Sequence, residues 1–295
     1  MSSKLFAYND PAGWGKQLVL AGGRVGCEVR LFSAASELRD KSGVAFVCLD
    51  QQGPRRDVTK QLVNKLWDFP YIKVLQSRLE ADLYDDKYLQ AKVLHKFMPK
   101  TILVDSIHQV SEAIRDLGGF PVMFKAPFGA SSKCVEVVDS WARMDKIGAQ
   151  MLSDSGMVFQ NGRKHSGNIL LQKFYNVPGD YRIVITGDYV FGLARRNKPG
   201  TPFASGSGLN KPLKLNEAKE CFIAGIQVAR EINSKWLAMD FIVPEDGKPL
   251  LLEVSSSWTP HPYALCQVYT TSLREVIPLK GGHMFDMAIG AMQRC

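Results

Sequence analysis

Between Ala238 and Trp258 the chain reads AMDFIVPEDGKPLLLEVSSSW, two apolar runs flanking a turn, each interrupted by one acid. No other stretch restricts the fold as strongly. Phe241, Ile242, Val243, Leu250, Leu251, Leu252 and Val254 leave no wet face, the pattern of strands covered on both sides. Asp-Gly between such runs predicts a two-residue type I′ hairpin on Asp246-Gly247. That register sets Asp240 directly opposite Glu253, with Cβ atoms about 5 Å apart. Like charges so placed destabilise a sheet unless one is protonated or a cation lies between them. Ser255, two residues on, projects to the same face. Two carboxylates and a hydroxyl form a candidate site for a hard cation, with Mg2+ the natural occupant. The competing reading is an amphipathic hairpin whose acids face water.

The 295 residues suffice for two or three lobes with cores of their own. A hydrophobic content of 45% and 22% charged residues are ordinary for a globular chain. The net charge of +8 suits anionic partners such as nucleotides, phosphates or nucleic acid, but the basic residues are dispersed, and a solvated surface accounts for them equally well. Cys27, Cys48, Cys134, Cys221, Cys266 and Cys295 form no C-x-x-C pair. With no apolar leader, they are expected to be reduced thiols of a cytoplasmic protein. No apolar run is long enough for a membrane span. The histidines, His261 included, show no zinc-ligand spacing.

The first 85 residues alternate strand-like and helix-like pieces: LFAY, GKQLVLAGGRVG, CEVRLFS, GVAFVCLD, DVTKQLVNKLWDF and YIKVLQS. Such alternation predicts a small doubly wound α/β lobe. A helix over DDKYLQAKVLHKFM follows, then a strand near Thr101–Val104 and a helix capped by Ser106 and closed at Gly118-Gly119. From Phe120 hairpins dominate, with helices at 216–232 and at the C-terminus. The chain is expected to divide into units over 1–85, 86–168 and 169–295.

Two further stretches carry charge at spacings that matter. In FPVMFKAPFGASSKCVEVV a strand ends at Lys125 and a loop of small residues, Gly129 to Ser132, follows. Backbone N–H groups and the hydroxyls of Ser131 and Ser132 could cradle a phosphate there, with Lys125 as a point charge; an ordinary solvated hairpin fits the stretch too. In KFYNVPGDYRIVITGDYVFGLARRN the Gly187-Asp188 turn pairs Asp180 with Arg195 and leaves Arg182 on the same face. This reads either as a cross-strand salt bridge or as a cationic platform for a transferring phosphoryl group.

Taken in order, these pieces resemble the ATP-grasp superfamily, which includes D-alanine–D-alanine ligase, glutathione synthetase and RimK-type ligases. The resemblance covers roughly residues 86–290, with 1–85 similar to the small α/β domain that precedes the grasp. It implies an α/β (α+β) fold and a carboxylate–amine ligase working through an acyl phosphate. It implies ATP with Mg2+, as two ions, and Mn2+ as a substitute. Lys87 and Lys125 then resemble the two ATP lysines. Gln172, Lys173, Phe174 and Tyr175 resemble the hinge that holds adenine, largely through the backbone of Lys173 and Tyr175. Asp180 resembles the acid on the ribose hydroxyls, and Arg182 and Arg195 the arginines near phosphate or substrate. Asp240, Glu253 and Ser255 resemble the metal set. Ser255 stands where Asn is usual, and the phosphate loop holds a single glycine. The partners so implied are a small-molecule carboxylate and an amine, in a chain that can self-associate. A phosphotransferase on the same fold and a basic nucleotide- or nucleic-acid-modifying or binding factor are the alternatives.

Overall fold

The computed structural model describes residues 4–50, 53–128, 135–158, 164–258, 266–276 and 284–295. Its first unit is a four-stranded parallel sheet. β1 (Leu5–Tyr8) is central, α1 (Trp14–Arg24) and β2 (Val29–Phe32) follow, and β3 (Gly43–Phe46), α2 (Gly53–Trp67) and β4 (Ile72–Val74) extend it in the order β2-β1-β3-β4. The helices between the strands make the parallel order reachable. The doubly wound reading of this segment therefore holds.

Two short helices lead out of the first unit. α3 (Arg78–Leu83) is capped by Ser77, whose hydroxyl accepts from the Glu80 N–H at 3.0 Å, and α4 (Lys87–Val93) by Asp86, which accepts from the Leu89 N–H at 2.9 Å. Each cap satisfies a donor that a helix start leaves open.

The second sheet is antiparallel. It is built from β5 (Thr101–Val104), β6 (Val122–Lys125), β7 (Val135–Val138) and β10 (Ile169–Lys173), in the order β5-β10-β6-β7. Between β5 and β6, α5 (Ile107–Asp116) starts at the Ser106 cap and buries Val110, Ala113 and Ile114, with Leu117 just beyond it, the stripe a helical period dictates. α6 (Trp141–Met151) covers the same face, and β8 (Met157–Val158) with β9 (Lys164–His165) forms a small ladder of its own. Since β10 belongs to this sheet, the break before the third sheet falls after Lys173 rather than at 169.

The third sheet has seven antiparallel strands. β11 (Gly179–Thr186) and β12 (Tyr189–Arg196) form a hairpin. β13 (Asn210–Pro212) pairs with β12, α7 (Lys219–Glu231) packs on one face, and β14 (Trp236–Ile242), β15 (Leu250–Ser255), β16 (Val268–Thr270) and β17 (Glu275–Val276) complete the order β15-β14-β11-β12-β16-β17. All seven β14 residues are buried, Asp240 among them, as expected of a strand covered on both faces. α8 (Met284–Gln293) packs against α1 and closes a core shared by the first and third sheets. Trp14, Trp236, Trp258 and Phe285 meet there. Trp236 and Trp258 are stacked at 4.7 Å, and Trp14 lies edge-on to both at 5.7 Å.

The hairpin that opened the argument keeps its key pair and changes its turn. Asp240 does face Glu253, and Ala238 faces Ser255. The turn is not the tight two-residue loop expected. Residues 243–249 lie outside the ladder, the Gly247 N–H donates to the Pro244 carbonyl at 2.9 Å, and Asp246 accepts from the Lys248 N–H at 3.1 Å. Pro244 fixes the backbone one turn earlier than Asp-Gly would. Beyond Asp240 the pairing slips so that Phe241 faces Leu251, which makes Leu252 the extra residue of a bulge. The longer turn and the bulge offset each other, and the acid pair survives. The Gly187-Asp188 turn behaves as expected: Gly187 has φ 61, Thr186 faces Tyr189 and Asp180 faces Arg195.

Candidate nucleotide and phosphate site

A cavity of about 510 Å³ opens where the second and third sheets meet, within the range usual for small-molecule sites. Every candidate singled out from the sequence that lies among the described residues lines it. These are Lys87, Lys125, Gln172, Lys173, Tyr175, Asp180, Arg182, Arg195, Asp240, Glu253 and Ser255. Ser131 and Ser132 lie outside the described residues, as does His261.

The strand period explains the gathering. Asp180 and Arg182 on β11 are two apart, Arg195 faces Asp180 across the hairpin, and Asp240 faces Arg182 on the other side. The result is a buried chain of alternating charge. Arg182 grips Asp240 with Nε to Oδ1 at 2.6 Å and Nη2 to Oδ2 at 2.7 Å. Arg195 grips Asp180 with Nε to Oδ1 at 2.5 Å and Nη2 to Oδ2 at 2.7 Å, and also reaches Asp240 Oδ2 at 2.8 Å. The cross-strand salt bridge expected of this stretch is formed, and it lies in the cavity wall.

The charge between the two opposed acids is met by the protein itself. Burial alone would raise the Asp240 carboxyl, yet the guanidiniums of Arg182 and Arg195 outweigh it and hold the group below the usual carboxylate range. Glu253 has Lys87 Nζ at 3.3 Å from Oε1. Facing acids in this register therefore do not by themselves require a metal ion; an arginine directly opposite Asp240 on the neighbouring strand also meets the charge.

The donors nevertheless suit a phosphate-bound divalent ion. Among the described residues no three His, Cys, Asp or Glu side chains gather as a metal cage, and Mg2+ commonly uses only one or two carboxylates plus substrate phosphates. Glu253 is 31% exposed, and it opens on the same cavity as Asp240. Ser255 donates its hydroxyl to the Ser257 carbonyl at 2.5 Å, which leaves the oxygen as an acceptor toward its neighbours.

Lys125 ends β6 and is buried, with Nζ donating to the Leu252 carbonyl at 3.3 Å. Burial pushes its ammonium down to about 8, with Lys87 adding to the fall and Glu253 opposing it. A polyanion placed here needs the charged form. Below pH 8 Lys125 is already protonated; above it, binding must take up a proton. Affinity for a polyphosphate ligand is therefore expected to fall by up to about tenfold per pH unit above 8. Calorimetry at pH 7 and 9 in buffers of different ionisation heat checks this, and a pH-independent affinity would refute it.

The hinge runs between β10 and β11. Gln172 is buried and donates from Nε2 to Thr101 Oγ1 at 2.7 Å, so its side chain braces the second sheet. Lys173 Nζ lies 5.3 Å over the Tyr175 ring. Sequence reasoning missed the apolar walls, Met123, Val135, Ile242 and Leu252, and the loop Pro202–Gly208 that rims the cavity. Only the small-residue run FASGSG signalled that loop. It missed Gln90 as well, one helical turn beyond Lys87.

No protein-family model matches the chain. The mitochondrial pyruvate carboxylase of Rattus norvegicus is 23% identical over 163 residues, 52% of this chain but 13% of that protein. The match thus spans only a small part of the curated relatives' length. Solved structures align over nearly all of it. An N5-carboxyaminoimidazole synthetase from Staphylococcus aureus has TM-score 0.67 and 12% identity over 99% of this chain and 77% of that one. A carboxyaminoimidazole ribonucleotide synthase from Aspergillus clavatus, complexed with ATP, has TM-score 0.63 and 14% identity over 99% and 77%. A RimK-domain ATP-grasp protein from Sphaerobacter thermophilus has TM-score 0.59 and 15% identity over 97% of this chain and 98% of that one. One parallel and two antiparallel sheets in this order, a lysine-lined cavity between two of them and these structural neighbours together place the chain in the ATP-grasp fold.

Proposed function

We propose that the protein is an ATP-dependent ligase that joins a small-molecule carboxylate to an amine. The observation that carries this reading is the convergence on one cavity of two buried lysines, a hinge with apolar walls and an opposed acid pair. In this reading Lys87 and Lys125 bind the β- and γ-phosphates. The backbone of Lys173 and Tyr175 holds adenine between Met123, Val135, Ile242 and Leu252. Asp180 accepts from ribose with the acceptor capacity its oxygens retain beside Arg195. Asp240, Glu253 and Ser255 would hold Mg2+ or Mn2+ against the phosphates, and what such an ion supplies is charge neutralisation during phosphoryl transfer.

The substrate carboxylate oxygen attacks the γ-phosphorus and ADP leaves. The amine nitrogen then attacks the acyl carbon, phosphate departs and the nitrogen loses a proton. Arg182, the more exposed of the two arginines, is placed to stabilise the developing oxyanion. Arg195 holds Asp180 and Asp240 in register. The same reading divides the chain into an N-terminal unit, a small lobe ending at Lys173 and a large lobe.

An ADP-release screen over amino acids, polyamines, peptides and nucleotides tests the proposal. ADP should appear only when Mg2+, a carboxylate and an amine are all present, and Asp240→Asn should abolish it. A phosphorylated product from one substrate alone would make the protein a phosphotransferase. Failure to bind ATP in calorimetry would end the reading altogether.

A further inference from the structure

β15, which carries Glu253 and Ser255, is an edge strand of the third sheet. An edge leaves alternate N–H and C=O groups without a ladder partner, and at Val254 a side chain takes that place. Gln90 on α4 is fully buried. Its Oε1 accepts from the Val254 N–H at 3.0 Å, and its Nε2 donates to the Val254 carbonyl at 3.0 Å and to the Leu83 carbonyl at 2.8 Å. A primary amide offers one acceptor and two donors on a single plane, so Gln90 pairs with Val254 as a peptide unit of a further strand would.

The residues around this clip give it a purpose. Val254 lies between Glu253 and Ser255, both of which face the cavity. Leu252, just before them, is the bulge residue, and its carbonyl is held by Lys125 Nζ at 3.3 Å. Bulges near sites re-aim side chains, and they leave the local ladder weak. Lys87 stands three residues before Gln90 on α4, on the same helical face, with Nζ 3.3 Å from Glu253 Oε1. One short helix therefore both neutralises Glu253 and fixes the backbone that aims it.

We propose that Gln90 is a positioning residue that sets the Glu253 carboxylate for a nucleotide-bound divalent ion, a role that rests on the ATP reading of the cavity. Outer partners that orient metal-binding side chains typically change affinity by about tenfold or more when lost. The test is calorimetric titration of ATP into the full chain, with Mg2+ and again in EDTA, for the unaltered protein, Gln90→Glu and Gln90→Leu. Gln90→Glu keeps the acceptor and removes both donors; Gln90→Leu removes all three contacts at similar volume. Both variants are expected to weaken binding about tenfold with Mg2+ and to leave the EDTA titration within twofold. Equal weakening in both titrations, no change in either, or loss of folding in both variants would assign Gln90 to the fold alone and overturn the proposal. If the unaltered protein binds no ATP in either titration, the ATP reading itself falls and takes this role with it, a result distinct from all the others.

Discussion

Replacing Asp240 with leucine is expected to destabilise the protein by about 3–5 kcal/mol, because a buried guanidinium and a half-buried one would lose a shared carboxylate. In the intact molecule Arg182, Asp240, Arg195 and Asp180 carry two charges of each sign, linked by direct ion pairs in that order. Removing Asp240 leaves Arg182 without its bidentate partner and the group with an excess positive charge in a desolvated wall. At about 2–4 °C per kcal/mol for a chain of this size, the melting temperature should drop by roughly 10 °C. The double variant Asp240→Leu with Arg182→Met should recover most of the loss, since Arg195 and Asp180 then form a complete pair and apolar side chains fill the space. ATP-dependent turnover should stay absent in both. Thermal melts of the two single variants and the double variant form the test. A double variant as unstable as the sum of its parts would show that the pair is not coupled. The same arithmetic predicts acid sensitivity: Asp240 is held below the usual carboxylate range, so its stabilisation is present at neutral pH and is lost as pH falls below about 4.

Much of this site was legible before the fold was, for a reason particular to strands. A side-chain period of two and a well-marked turn together fix which residues share a face, so Asp180, Arg182 and Arg195 could be placed around Gly187-Asp188 without any tertiary information. The acid pair is the one the Asp246-Gly247 turn predicts because the longer turn and the bulge at Leu252 offset each other. What stayed hidden depends on contacts between elements far apart in sequence. Nothing in the spacing of β11 says that β14 will lie beside it, so the ion pair between Arg182 and Asp240 cannot be read from the sequence. Gln90 was invisible for the same reason: its partner Val254 is 164 positions away. The placement of β10 in the second sheet likewise depends on pairing with β5 and β6, whereas composition along 169–173 is that of any buried strand.

The other large effect expected is a pH-dependent loss of stability that no motif announces. Glu80, on α3, is buried where the first unit meets the end of the third sheet, and Ser234 Oγ donates to its Oε2 at 2.6 Å, while its Oε1 has no hydrogen-bond partner among the described residues. Burial pushes the carboxyl up to about 8, with the Ser234 hydrogen bond opposing the shift. A glutamate in the unfolded chain titrates near 4.3. Between these values the unfolded chain has lost a proton that the folded protein keeps, so rising pH favours unfolding. The contribution is fully present below about 4.3, falls by about 1.4 kcal/mol per pH unit through the window, and levels off above 8, for a total on the order of 5 kcal/mol. Glu80→Gln keeps the shape and an acceptor for Ser234 while removing the ionisation. Urea unfolding at pH 6, 7 and 8 should therefore show stability declining steeply in the unaltered protein and much less in the variant. Parallel pH profiles for the two would mean that Glu80 is ionised in the folded state, and would move the source of any alkaline instability elsewhere.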